Sequence, residues 1–225
     1  MAIVVHHLNN SRSQRVLWLL EELGLDYDIV RYQRDPVTML APESLRRIHP
    51  LGKSPVVTDD DLVLAESGAI VDYLVDRYGN DRLAPSRGTP EYLRYNYWLH
   101  YAEGSAMPPL LLKLIFQRVG SAKAPFFVRP IARAIAAKVT ESFIDPQLKL
   151  HLDYLESELG KHPWFVGESF GGADIQMSFP IEAAAAGRSP LTQRPRLTDW
   201  LNRIHARPAY RRALERGGPY DFAGD

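Results

Sequence analysis

The chain has 225 residues, 45% of them hydrophobic and 24% charged, which is enough apolar material for one or two packed cores and argues against disorder. Lys plus Arg and Asp plus Glu each total 27, so no global electrostatic drive toward nucleic acid or an anionic membrane exists and only local patches remain. There is no cysteine, which excludes disulfides, a CxxC redox pair, thiolate zinc sites and a cysteine nucleophile; any thiol chemistry must use a thiol that a ligand brings.

In chain order, IVVHHL predicts a strand that runs through the polar turn NNSRS into a helix from Gln14 to Leu23. Leu17, Leu20 and Leu23, with Val16 and Leu19, recur at the spacing of a buried helical face. YDIVRY predicts a second strand, PESLRRI a short helix, SPVVTD and LVLA two more strands, and Ser67 to Tyr78 another helix. This alternation predicts a small α/β layer structure over residues 1–84. The turn formers of GNDRLAPSRGTP place a linker at 85–90, and 91–225 reads as helices only. A long helix from Glu91 to about Arg118 is expected to kink at Pro108 and Pro109, and a stretch from Pro130 to Leu159 to break near Pro146. No segment is apolar enough to span a bilayer and the N-terminus lacks a signal-peptide pattern, so the expected location is cytoplasmic, with no membrane or nucleic-acid partner.

Chemistry-bearing residues cluster in HPLGKSPVVTDDDLVLAESGAIVDYL. A Ser54–Pro55 bond opening a strand is usually trans. With GK before it and a Glu-Ser helix start after it, the same bond suits a cis turn that leaves the Ser54 backbone free to pair with an extended peptide. Ser67 opens a helix, where free N–H groups and the positive dipole end favour a carboxylate, although serine is also an ordinary N-cap. Lys53 taken alone is a solvated surface charge. His6 and His7 are adjacent strand residues pointing to opposite faces, so one is expected in the core and the other exposed. No HExxH spacing or carboxylate cluster suggests a metal site. From Gly104 to Thr140 no acidic residue occurs, while Lys113, Arg118, Lys123, Arg129, Arg133 and Lys138 do. That basic wall would attract anionic substrates or a neighbouring subunit; the balanced total charge favours a plain solvated helix surface.

HPLGKSPV followed by LAESGAIVDYL resembles the glutathione-binding region of the cytosolic glutathione transferases. The opening turn and MLAPESLRRIHPLGKSP are most similar to the bacterial and fungal branch typified by a yeast enzyme, Gtt-one, with theta-like features. The resemblance implies an α/β thioredoxin-like N-terminal domain joined to an all-α helical domain, a homodimer with each site near the interface, and glutathione as co-substrate. It assigns Lys53 to the glycine carboxylate, the Ser54 backbone before Pro55 to the cysteinyl main chain, and Glu66 and Ser67 to the γ-glutamyl head. Where the family places a cysteine, serine or tyrosine to activate the thiol, this chain offers Asn10, Ser11 and Ser13. Ser11 precedes Arg15 at the theta-type spacing and is favoured; Asn10 sits where other classes put their serine or cysteine and ranks second; Ser13 suits a helix N-cap. The acceptor pocket is expected between the domains, with Tyr101 and Met107 as contacts, although aromatic stripes commonly serve as interhelical core. In FVGESFGGADI, Gly171 stands where the family has a serine or threonine three residues before Asp174, leaving half a capping box, with Phe170 and Ile175 spaced as a hydrophobic staple. The implied activity is glutathione transfer, in which the thiolate attacks a small electrophile or a peroxide. A non-catalytic protein-interaction module and a glutathione-dependent disulfide reductase are the alternatives.

Overall fold

Strand β1 (Ile3–Leu8) lies inside a four-stranded sheet of order β2-β1-β3-β4 in the computed structural model, which describes residues 3–121, 125–188, 191 and 193–223. It runs parallel to β2 (Tyr27–Tyr32), from Ile3 opposite Tyr27 to Leu8 opposite Tyr32. Parallel neighbours need a crossover, and helix α1 (Ser13–Leu23) supplies it. On its other side β1 pairs antiparallel with β3 (Val56–Asp59), which pairs in turn with β4 (Leu62–Ala65). β3 starts at Val56, two residues later than expected, because Pro55 has no N–H to offer the ladder. Helix α2 is reduced to Glu43–Arg46, whereas α3 spans Ser67–Tyr78 as its pattern predicts.

The expectation that one of His6 and His7 would be exposed is overturned: each is only 5% exposed. The two side chains do face opposite ways, but an interior strand has both faces covered. Ile3 and Val5 belong to the main core with α1 and α3, while Leu8 packs with Tyr32 and Leu45 of α2 in a separate cluster. His6 meets the Tyr32 hydroxyl at 2.9 Å and His7 meets the Ser13 hydroxyl at 2.9 Å.

The remainder is helical: α4 (Pro90–Tyr101), α5 (Met107–Ser121), α6 (Arg129–Val139), α7 (Asp145–Glu158), α8 (Gly172–Ala183), α9 (Pro195–His205) and α10 (Pro208–Gly217). The expected proline breaks take a different form. Wide π-type turns at Ala102–Ala106 and Thr140–Ile144 precede the prolines, so that Pro108, Pro109 and Pro146 fall in the first turn of the next helix. There a missing N–H costs nothing, and the extra residue in the turn absorbs the mismatch. Helix α8 is buried along its whole length and touches α1, α3 and α4. Helix α10 returns to lie along α1, fastened by Arg207 on Glu22 and by Arg212 and Arg216 on Glu21. No helix among the described residues is long and apolar enough to cross a membrane.

The start of α8 explains its incomplete capping box. Asp174 Oδ2 accepts from the Gly171 N–H at 3.0 Å, and Oδ1 accepts from the Phe165 N–H at 3.1 Å and the Trp200 indole at 3.0 Å. Gly172 N–H donates to the Leu83 carbonyl at 2.7 Å, and a Cβ on Gly171 would lie 2.7 Å from that same oxygen. The Leu83 backbone, between α3 and α4, therefore occupies the space a serine or threonine would need. Phe170 packs against Trp18 and Trp164, with the Arg207 guanidinium 3.7 Å from its ring centre, while Ile175 is fully buried. The expected staple residue is thus a contact between α1 and the helical part.

Candidate functional site

The loop from Asn9 to Arg12 joins the C-terminal end of β1 to α1, and its Ser11 side chain links the start of α1 to the β3 entrance. Ser11, 3% exposed, has its Oγ 2.8 Å from Ser13 Oγ and 3.3 Å from Ser54 Oγ. It also accepts the Ser13 N–H at 3.2 Å. Ser13 therefore does not cap the helix: α1 begins at Ser13, one residue earlier than the pattern predicts, and the capping-type contact falls to Ser11. The Ser13 hydroxyl instead sits against His7 Nδ1. Burial, and then the charge of Arg31, push His7 down to about 4, so its ring is neutral at physiological pH. Ser54 Oγ donates to the His6 carbonyl at 3.1 Å, and the Ser54–Pro55 bond is cis. Lys53 is exposed and makes no ion pair among the described residues.

Asn10 binds the C-terminal tail. Its backbone is left-handed (φ 49°), and its amide donates to Asp221 Oδ2 at 2.7 Å while accepting the Asp221 N–H at 2.9 Å. Both ends of the amide thus fasten the C-terminal tail to the loop that carries Ser11. Tyr220, next to Asp221, donates to Glu182 at 2.7 Å, so the tail is held at two points. Asn10→Ala is expected to accelerate hydrogen exchange at the Asp221 amide about tenfold, the equivalent of about 1.4 kcal/mol of lost bonding, without changing ionisation of a thiol bound at Ser11. Amide exchange followed by mass spectrometry checks this.

Across the sheet, Glu66 holds a positive φ of 68° just before Ser67, which opens α3 and is 3% exposed. Ser67 Oγ accepts from Arg15 Nη2 at 2.7 Å and from Gln176 Nε2 at 3.4 Å. Arg15, 2% exposed, also pairs with Glu103 and the Gln176 carbonyl. Arg12 grips the same Glu103 at 2.8 and 2.9 Å and lies 5.0 Å from the Phe179 ring centre. Burial opposes ionisation of Glu103, but Arg15 and Arg12 outweigh it and hold the carboxyl below its usual range. The same burial pulls the Arg15 guanidinium down, with Glu103 opposing it.

This ion cluster was missed from sequence, where Arg15 served only as a spacing marker. One signal was available: Glu103 is the sole acidic residue between Glu91 and Glu141. Tyr101 and Met107 lie in the interhelical core, 7% and 6% exposed, and the Tyr101 hydroxyl is 2.6 Å from His151 Nδ1. Of the basic stretch, Lys113 pairs with Asp145 at 2.6 Å; Arg118, Arg129, Arg133 and Lys138 are exposed; and Lys123 lies outside the described residues. Among the described residues no cluster of three or more His, Asp or Glu could hold a metal.

Residues 2–76 match the family model "Glutathione S-transferase, N-terminal domain" and residues 135–208 match "Glutathione S-transferase, C-terminal domain". Glutathione S-transferase 3 of Schizosaccharomyces pombe is 38% identical over 216 residues, covering 95% of this chain and 87% of the relative. Glutathione S-transferase 1 of Saccharomyces cerevisiae is 35% identical over 222 residues, covering 95% and 94%. The crystal structure of a glutathione S-transferase from Actinobacillus pleuropneumoniae superposes with a TM-score of 0.77 at 34% identity, covering 98% of this chain and 95% of that one.

Proposed function

Because this chain belongs to the glutathione S-transferase family, we propose that Ser11 donates to the sulfur of bound glutathione while Lys53, Ser54, Glu66 and Ser67 hold the tripeptide. The chain is a glutathione transferase with glutathione as its co-substrate. The observation that carries the assignment of Ser11 is its buried hydroxyl 3.3 Å from Ser54 Oγ, at the cis Ser54–Pro55 bond. An extended peptide pairing with the Ser54 main chain would bring its cysteinyl side chain to this loop. Ser54 has already given its proton to the His6 carbonyl, so in its contact with Ser11 it acts as acceptor and Ser11 as donor. That proton can turn to an anionic sulfur, which is the stronger acceptor.

A free thiol titrates near about 8.5, and moving it two units down needs about 2.7 kcal/mol of preference for the thiolate. One charge-assisted hydrogen bond supplies about 1.5–3 kcal/mol, and the N-terminus of α1 adds about 0.3–1. Ser11 need not ionise; the thiol proton goes to solvent, and the thiolate attacks the electrophile. Asn10, the second candidate, has both amide groups bound to Asp221, which supports Ser11 over it. Ser13 acts one bond further back, through Ser11. The reading extends to a soft electrophile or a peroxide as acceptor, and to a homodimer, which the exposed side chains of Leu62, Val63, Leu93 and Tyr97 support.

Titration calorimetry with reduced glutathione tests the site. Binding at millimolar or better affinity is expected, with turnover on some member of a panel of aryl halides, isothiocyanates, hydroperoxides and mixed disulfides. Absence of binding would remove the site as assigned.

A further inference from the structure

Two arginines beside the Ser11 loop belong to no part of the glutathione assignment. Arg34 follows the C-terminal end of β2 and is half-buried. Its backbone N–H donates to Asn9 Oδ1 at 3.1 Å, which ties it to the loop that carries Ser11, and its Nη1 donates to the Met39 carbonyl at 3.3 Å. Arg118 stands in the last turn of α5, near enough for its charge to act on Arg34 from the helical side. Burial, and then the charges of Arg12 and Arg118, pull the Arg34 guanidinium below its usual range, but a guanidinium stays ionised in a protein. The carboxylates in this region are already engaged. Glu103 is held by Arg12 and Arg15, and Asp145 by Lys113. Asp35, next to Arg34 in the chain, turns into its own loop and accepts the Val37 and Thr38 N–H groups at 3.0 and 2.6 Å and the Thr38 hydroxyl at 2.9 Å. Neither Arg34 nor Arg118 makes an ion pair among the described residues. Like charges brought together without a counter-ion repel, and an anion seated between them would relieve that cost. Apolar surface flanks both: Met39 and Leu40 beside Arg34 and Ile115 one turn before Arg118 are exposed.

We propose that Arg34 and Arg118 form the outer wall of the acceptor site and select electrophiles that carry a carboxylate or another anionic arm on an apolar body. This rests on the reading of Ser11 as the thiol site and names the substrate class that the site takes. The reacting step itself is unchanged. With an aryl chloride, the thiolate sulfur forms the new S–C bond and chloride leaves, while the arginines hold the anionic arm away from the reacting carbon. Arg34 comes from the end of the sheet and Arg118 from the helical part, so the arm is recognised across the opening between them. Of the basic stretch from Gly104 to Thr140, Arg118 is the member that this assigns to substrate.

The test uses two product conjugates: S-(4-carboxy-2-nitrophenyl)glutathione, and its 4-carbamoyl counterpart, which keeps the shape and loses the charge. Wild type, Arg34→Gln and Arg118→Gln are titrated by calorimetry with each conjugate and with glutathione itself, and near-UV circular dichroism verifies the fold of each variant. Wild type is expected to prefer the carboxylate about tenfold, Arg34→Gln to remove most of that preference, and the more exposed Arg118→Gln to reduce it about threefold. The preference should also shrink as salt is raised. Affinity for glutathione, which lacks the arm, should change less than about twofold in either variant. If Arg34→Gln does not fold, Arg118→Gln still reads the preference. A wild type that binds glutathione but neither conjugate, equal affinity for the two conjugates, or a preference that survives both substitutions would overturn the inference while leaving the glutathione site standing. Parallel losses for glutathione and both conjugates would place the arginines on the peptide and overturn it as well. A wild type that binds none of the three would overturn the site itself.

Discussion

Ser11→Ala raises the pKa of enzyme-bound glutathione by about one to two units, since the charge-assisted bond it removes contributes about 1.5–3 kcal/mol and each unit corresponds to about 1.36. At neutral pH the bound thiolate then falls about tenfold or more, and kcat/KM on a fast electrophile falls with it. Glutathione affinity changes much less, because the proposed contacts to the peptide lie elsewhere, at Ser54 and Ser67. Ser13→Ala is expected to give a smaller shift: its hydroxyl would act on the sulfur only through Ser11, at 2.8 Å, and its other partners are the neutral ring of His7 and the Leu8 carbonyl. The measurement is the ultraviolet absorbance of the thiolate as pH is varied. A signal that survives Ser11→Ala and disappears in Asn10→Ala would reverse the assignment, and would require the Asn10 amide to leave Asp221 when glutathione binds.

The second large effect concerns the fold. Asp174→Ala is expected to destabilise the protein by about 3–5 kcal/mol, because it strips the acceptor from three buried donors at about 1–3 kcal/mol each, with partial relaxation. Those donors are the Phe165 and Gly171 N–H groups and the Trp200 indole, all at a residue with no solvent exposure. Urea unfolding followed by tryptophan fluorescence measures the loss.

The same residue gives a signed pH dependence. Burial pushes the Asp174 carboxyl up from 3.8 to about 6, with Trp200, Phe165 and Gly171 holding it back. A folded pKa above the unfolded one means that its contribution is fully present below about pH 4 and declines as pH rises through 6, by about 3 kcal/mol. His7 works in the opposite sense: lowered from 6.5 to about 4 in the folded chain, it contributes fully above pH 6.5 and loses that contribution as pH falls toward 4. The two slopes offset one another in the wild type. Asp174→Asn removes one of them, and its stability should fall between pH 7 and 4 by about 3 kcal/mol more than that of the wild type. Parallel pH profiles in the two proteins would show that Asp174 stays ionised when buried.

The parts of the fold that were legible in the sequence are those where one local pattern settles the structure. YDIVRY, LVLA and the Ser67 to Tyr78 helix appear with the bounds their patterns predict. The histidines were misread because alternation along β1 says that His6 and His7 face opposite ways, but not that both faces are covered. That depends on β1 lying inside the sheet and on α2 closing its second side. The prolines of α5 and α7 were read as kinks because a missing N–H is visible in sequence, whereas the wide turn that precedes each is set by the packing around it.

The site divides in the same way. The cis Ser54–Pro55 turn and the helix start at Ser67 are legible because both fall within one short stretch. The groups that hold Ser67 come from segments far apart: Arg15 is 52 positions from it and Gln176 is 109. The Asn10 clasp on Asp221 spans 211 positions. No local spacing encodes such meetings; they follow from helix α8 passing beside α1 and α3, and from α10 returning along α1. Gly171 is a related case, a missing cap in sequence terms that the Leu83 carbonyl accounts for in space.

The central claim is that this chain binds glutathione with its sulfur at the Ser11 hydroxyl and lowers the pKa of that thiol. Its most direct test is the pH titration of thiolate absorbance for glutathione bound to the wild-type protein. An apparent pKa about two units below the free value of about 8.5 is the expected result; a bound thiol that still titrates near about 8.5 would contradict it.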